Sequence, residues 1–363
     1  MKNLLYSALF IGTIAIGFVG CSKAPAGNST TNQTTLEGQV LTDFSNDLVN
    51  TNYQDIQAKA SIMNDAVNAF VANSTDQNLA ATQLAWKNTR AAWESCEGFL
   101  FGPVEDDSYD PDMDDWPVNK IDLDSLLASP NPLTVSDITP LQTTLKGFHA
   151  IEYIIFGVGN TRKAAQVTDR QKTYLVSLAQ SLYNTTTDLR NSWDPTQGNY
   201  TAQVINAGKG SSAFTSRQAV FLALVGSMAD ICNEVANEKM QTPFAAKDST
   251  LSESSFSHNS IADFTHNITG IKNAYLSSYT GANGNHSLSE LVAAKNASLN
   301  NTLLSQMNAA IASFNAFGSL NVSFEQAIYT QRSTITKVQA TINTLKASLD
   351  GDLHDFVVTN IKD

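Results

Sequence analysis

His149 and Glu152 stand three residues apart in Gly147-Phe148-His149-Ala150-Ile151-Glu152, and the whole chain has five histidines. On a helix that spacing puts an imidazole and a carboxylate on one face, within reach of a single metal ion. Leu145, Phe148, Ile151, Ile154 and Ile155 recur beside them at helical spacing, which predicts a core-facing stripe next to the pair. The plainer reading is a buried histidine held by the carboxylate one turn on. Glu94 and Glu97 repeat the spacing on a stretch where Trp86, Arg90, Trp93 and Glu97 share one face. Either glutamate could instead pair with Arg90.

A zinc peptidase helix of the His-Glu-x-x-His kind carries two imidazoles one turn apart plus a glutamate base. One imidazole among carboxylates suits iron, or another oxygen-preferring ion, better than catalytic zinc. Bundles hold such ions with Glu and Glu-x-x-His side chains from facing helices. The expected site is therefore His149, Glu152, Glu94 and Glu97, joined by a loop aspartate, Asp115 or Asp122. Trp86, Trp93 and Trp116 are expected to pack around it.

The elements that must position these groups are helices. Apolar positions at helical spacing predict helices over 36–72 with a break at Asn50-Thr51-Asn52, over 75–101 capped by Thr75 or Asp76, and over 138–156. Further helices are expected over 161–193, 214–240, 261–275, 288–317 and 324–349. No stretch alternates with period two, so the fold expected is all-α, built of packed helical bundles. The length exceeds what one core usually holds, and the halves are read as 36–205 and 206–363. A faint echo, Gly147 to Gly157 against Gly270 to Gly281, places Lys272 and Tyr275 where His149 and Glu152 stand, as in a duplication whose second copy has lost its ligands.

Asp106, Asp107, Asp110, Asp112, Asp114 and Asp115 crowd a Pro-containing segment read as a solvated loop, because clustered carboxylates repel and prefer water. It lacks the ligand alternation of a calcium loop. Gly208-Lys209-Gly210-Ser211-Ser212 lacks the strand and leading glycine of a phosphate loop. His258 and His266 are read as surface residues.

The first residues read as an address. Lys2 precedes an apolar run that ends at Phe18-Val19-Gly20-Cys21, the pattern of a bacterial lipoprotein signal with lipidation of Cys21. Residues 22–35, rich in Ser, Thr and Asn, read as a tether. A lipid anchor on the periplasmic side of an outer membrane is the expected location. Cys96 and Cys232 are expected as small buried groups rather than a disulfide scaffold. A net charge of −12 argues against nucleic acid and fits a surface that attracts cations.

Gly147-x-His149-x-x-Glu152 resembles the motif of the imelysin family, also called peptidase M75. The resemblance extends, in the family's order, to Trp86-x-x-x-Arg90-x-x-Trp93-Glu94-x-x-Glu97 with Phe99, Phe101, Gly102 and Pro103, and to Asp115-Trp116-Pro117. It continues in Glu253-Ser254-x-Phe256-Ser257-x-Asn259-x-x-x-Asp263, followed by Gly270-Ile271 and Tyr275, and so covers nearly the whole mature chain. It implies two helical-bundle halves with the site between or beside them, in a bacterial envelope protein tied to iron uptake, with partners among outer-membrane or periplasmic iron-transport proteins. The cargo would be a metal ion, iron before zinc, or a small iron complex. It also implies that Arg217, Ser257 and Asp263 line the cleft, although Ser257 could instead cap the helix near Ile261 and Asp263 occupy its first turn. Some members are labelled peptidases, so a metal-dependent endopeptidase is the second reading, and a non-enzymatic interaction module the third.

Overall fold

Leu36–Asp43 (α1) and Thr51–Ala72 (α2) form one continuous helical run in the computed structural model, which describes residues 35–362. The expected signal sequence, Cys21 and all but the last residue of the expected tether lie outside that range. The expected break at Asn50 is absent, because the chain passes through a wider π turn, Phe44–Asn50. Asn50 stays helical by donating its amide to Ser45 O (2.8 Å) and Thr201 Oγ1 (2.9 Å), which satisfies a polar group that otherwise favours loops.

Asp76–Glu94 (α3) is capped by Thr75, whose hydroxyl accepts from Asn78 N. It ends before the expected residue 101, and the chain turns through a 3-10 segment, Glu97–Phe99. The acidic segment is not a loop. It contains Tyr109–Asp114 (α4), whose last two residues are buried, and Lys120–Ala128 (α5) follows it. Gly147–Phe156 (α6) starts nine residues later than expected, since Val135–Ile138 and Thr143–Leu145 are separate turns. Nine of its ten residues are buried, which is why no polar face marks it in the sequence.

Asp169–Trp193 (α7) opens with a capping box between Thr168 and Gln171. Arg217–Asn233 (α8) continues into a π turn, Glu234–Lys239. Ser260–Leu276 (α9), Leu288–Lys295 (α10), Ala297–Ser313 (α11) and Arg332–Ser348 (α12) are the longer helices that follow. Among the described residues one short antiparallel hairpin pairs Ser278 with Asn283 and Tyr279 with Ala282.

The helices pack in two groups: α2 against α3 and α7, with α6 against both of these, and α8, α9, α11 and α12 against one another. A single apolar cluster runs through both groups. Burying a Phe, Ile or Leu within it contributes about 1.5–3 kcal/mol each. The groups meet where α9 crosses the 95–98 turn. A Cβ on Gly270 would lie 2.6 Å from Ser95 O, and one on Gly98 2.7 Å from Gly270 C, so only hydrogen fits at either position. The echo between the halves is not structural: Gly147 opens α6 at φ +71°, whereas Gly270 sits inside α9. Cys96 and Cys232 are free and buried, as the sequence suggests.

Candidate metal centre

Arg90 is the hub of the interior between the two groups. Its side chain is fully buried under Trp86 and Phe148, whose rings lie 5.9 and 5.1 Å from the guanidinium carbon. It pairs with Glu94 one turn on and with Asp114 at the end of α4. From the other group it meets Glu253 (3.0 Å) and Asp263 (3.7 Å). The fork of donors thus ties both sets of helices to one point.

His149 stands beside this hub, 2% exposed. Its Nδ1 faces Glu152 Oε2 at 3.1 Å, and its Nε2 lies 3.0 Å from Asp114 Oδ1 and 3.7 Å from Glu253 Oε1. Nε2 is close to Asp114 but off the line a hydrogen bond needs, and it is without a hydrogen-bond partner. Burial alone would depress the imidazole's pKa. The hydrogen-bonded carboxylate of Glu152 and the nearby charge of Glu253 outweigh it and raise the pKa.

Glu152 is turned away from Nε2. Its Oε1 accepts from Phe256 N (3.1 Å), Ser257 N (2.7 Å) and Ser257 Oγ (2.7 Å), while Oε2 serves the imidazole. Glu152 therefore stands behind the ring at Nδ1, and not beside His149 on the Nε2 side where joint ligation was expected. Ser257 spends its hydroxyl there and not on a helix cap. Asp263 lies in the first turn of α9 and accepts from Ser254 Oγ (2.6 Å) and Asn259 Nδ2 (2.8 Å).

Glu94 and Glu97 do converge with the rest of the cluster. Asn267 of α9 donates to Glu94 Oε2 (2.5 Å) and Glu97 Oε2 (2.7 Å). Lys239, 1% exposed in the π turn after α8, reaches Glu234 (3.2 Å), Glu97 (3.3 Å) and Glu253 (3.4 Å), with its ammonium 5.2 Å from the Trp116 ring. Among the described residues, Asp114, His149 and Glu253 offer one metal-ligand atom each within 4.8 Å of one another, and so do Glu94, Glu97 and Asp114.

Burial, with Glu94 beside it, holds Glu97 well above the usual carboxylate range despite Lys239. Asp263 is pushed up to about 7, again by burial and against the pull of Arg90. Glu253 goes the other way. Burial would raise it, but Lys239, His149 and Arg90 together hold it well below the usual range.

The loop aspartate is neither of the two expected. Asp115 accepts from Thr143, and Asp122 is exposed on α5 beside Asn119, whereas Asp114 enters the cluster. Reading the acidic segment as solvated failed there because Arg90 and Trp93 bury that one carboxylate; Trp93 Nε1 donates to Asp114 Oδ2 at 2.6 Å. A buried Arg90–Trp93 face needing an acceptor was the available signal. Glu253 was legible only as a motif position. Gly147 explains how Asp114 arrives: a Cβ there would lie 2.1 Å from Met113 O, so the backbone next to Asp114 rests on the start of α6. Arg217 opens α8, is buried and donates to Thr35 Oγ1 (2.7 Å); it is not on the cleft walls. His258 and His266 are half-buried, not surface residues.

A cleft of about 450 Å³ opens beside α5 and ends at His149 and Glu253. On the other side a smaller cavity, about 140 Å³, reaches Glu97, Asp114 and Lys239. The cluster lies between the two.

The profile of the imelysin family, peptidase M75, matches residues 49–351. The chain is 30% identical over 265 residues to iron-regulated protein A of Synechococcus elongatus, covering 72% of this chain and 70% of that one. A crystal structure of an iron-regulated protein A precursor from Parabacteroides distasonis superposes with TM-score 0.77 at 24% identity, over 86% of this chain and 94% of that one. An imelysin-like protein from Psychrobacter arcticum does so with TM-score 0.71 at 14% identity, over 89% and 96%. The two structures share the all-α fold, and with the profile match across most of its length the chain belongs to the imelysin family.

Proposed function

We propose that this protein binds a metal ion, iron first, at His149 Nε2, Asp114 and Glu253, and serves iron acquisition from a lipid anchor at Cys21 in a bacterial envelope. The observation that carries the reading is the charge of the buried cluster. Glu94, Glu97, Asp114, Glu253 and Asp263 are five buried carboxylates facing two permanent cations, Arg90 and Lys239. Such an excess calls for protons or a cation.

The residues fit the ion. His149 Nε2 and Glu253 Oε2 are buried atoms without hydrogen-bond partners, and they face the cleft that reaches them. One imidazole with two carboxylates is an oxygen-rich set suited to iron or manganese. Glu152 orients the ring, and Phe256, Ser257 and Asn267 hold the carboxylates in place. With three donors on Oε1 and the imidazole on Oε2, Glu152 is not free to take a proton from water, which weighs against a peptidase. The kinship with an iron-regulated protein supports iron over other ions.

Elemental analysis and titration with iron, manganese, zinc and calcium test this on the native protein, His149→Ala and Glu253→Gln. One iron per chain, lost in both variants, is expected. A native protein that takes up no metal at micromolar concentration sinks the reading.

A further inference from the structure

The larger cleft is built for more than an ion. A bare cation needs a few ångströms of space, whereas this cleft offers about 450 Å³. Its walls carry Val118, Leu251 and Phe256, and at its mouth Ile121 and Val158 are 79% and 66% exposed. Two large aliphatic side chains left in water at the rim of one cleft mark a surface that an apolar body can cover.

The polar groups of the cleft are arranged in depth. Lys120 is an exposed cation at the opening, and its ammonium lies 5.7 Å from the Tyr153 ring. At the floor three buried atoms lack hydrogen-bond partners: His149 Nε2, Glu253 Oε2 and Ser252 Oγ. Unpaired buried polar atoms are costly, and on a cleft wall they are what a ligand's polar end satisfies. Glu253 is the one acid on these walls, whereas Glu97, Asp110, Asp114, Asp115 and Glu234 line the small cavity on the far side. A hydrated cation is drawn to the acidic side, and an anion is better tolerated on the Lys120 side.

Resting on the metal-binding reading above, we propose that the larger cleft takes the metal as an anionic chelate with an apolar, ring-bearing organic body. The ring lies against Val118, Leu251 and Phe256. Lys120 meets the chelate's negative charge, and the metal end faces His149 Nε2 and Ser252.

The test is a titration of the full protein with four probes: ferrous ion alone, the ferric complex of 2,3-dihydroxybenzoate, ferric citrate and 2,3-dihydroxybenzoate without metal. The expected order is the aromatic complex tighter than ferric citrate by several-fold, and the metal-free chelator weakest. Lys120→Glu and Val158→Asp, both at exposed positions, are expected to weaken the aromatic complex at least tenfold and to leave ferrous binding within twofold. The proposal falls if ferrous ion binds but the aromatic complex does not, if ferric citrate binds as well as the aromatic complex, if the metal-free chelator binds as tightly, or if the two variants weaken ferrous ion equally. Absence of binding by all four probes overturns the metal-binding reading as well.

Discussion

Glu152 holds His149 by Nδ1 at 3.1 Å, and that contact leaves Nε2 turned toward Asp114 and Glu253. The pair is therefore asymmetric: the imidazole faces the cluster and the carboxylate stands behind it. Glu152→Gln keeps the shape but removes the charge that the imidazole N–H meets. It is expected to lower iron affinity about 10–100-fold, the usual effect of losing such an orienting partner, and His149→Ala to abolish it. Isothermal titration of both variants, with circular dichroism to show that the helices persist, measures the split. Equal losses in the two would mean that Glu152 is itself a ligand.

Gly147→Ala probes how Asp114 is delivered. The added Cβ meets Met113 O at 2.1 Å in a residue at φ +71°. The backbone conformation alone costs about 1–3 kcal/mol for a residue other than glycine, and the clash adds to it. The variant is expected to melt several degrees lower and to lose iron affinity together with stability, because Asp114 follows Met113. A variant with full affinity would show that Asp114 is not needed.

Gly270→Ala strikes the contact between the helix groups. Its Cβ would sit 2.6 Å from Ser95 O, so α9 must move away from the 95–98 turn. Asn267, one turn earlier on α9, then loses its grip on Glu94 and Glu97. Hydrogen exchange is expected to rise at 94–99 and along α9 while α2 and α7 stay protected. Unchanged exchange at 94–99 would refute a backbone contact that tight.

The helices were legible because their cause is local: α7, α9 and α12 bury apolar residues at helical spacing. Boundaries failed where a distant partner decides them. Asn50 stays helical because Thr201 accepts its amide, and α6 begins at Gly147 because Met113 rests there. In the site, His149, Glu94 and Glu97 stand out by type and spacing, and Arg90 by the face it shares with Trp93. Asp114 did not, since one carboxylate in an acidic run looks like its neighbours until the residue that buries it is known. Glu253 lies in a segment without periodicity, and the orientation of Glu152 depends on main-chain donors at 256 and 257, which no side-chain pattern encodes.

The pH dependence of stability has a definite sign. Burial pushes Asp263 up to about 7 and Asp110 up to about 6, from an ordinary 3.8. His149 is raised as well. Between those values the folded protein holds protons that the unfolded chain has released, so stability falls as pH rises through the window. The metal-free protein is expected to lose melting temperature steadily from pH 5 to 7.5. Iron bound at His149 as proposed would displace the proton of that ring, and is expected to raise the melting temperature more at pH 7.5 than at pH 5. Melting curves in chelator and in iron across that range check both; a metal-free protein that gains stability toward pH 7.5 contradicts the account.

Lys239 supplies the last test, because it is the cation the chain carries for itself. Its ammonium lies 3.2–3.4 Å from Glu234, Glu97 and Glu253, and burial, which would lower its pKa, is outweighed by those carboxylates. Lys239→Met keeps much of the volume and removes the charge. Breaking one partner of a buried ion pair costs about 3–5 kcal/mol, since the remaining charges stay in a poor solvent. The loss is expected in full only without metal. A divalent ion entering through the small acidic cavity could take over the charge that the ammonium supplied, so manganese or ferrous ion should raise the melting temperature of Lys239→Met by more than it raises that of the native protein. Restoration by metal ties the stability of the cluster to its net charge. A loss that no ion repairs would mean that Lys239 acts through packing against Trp116.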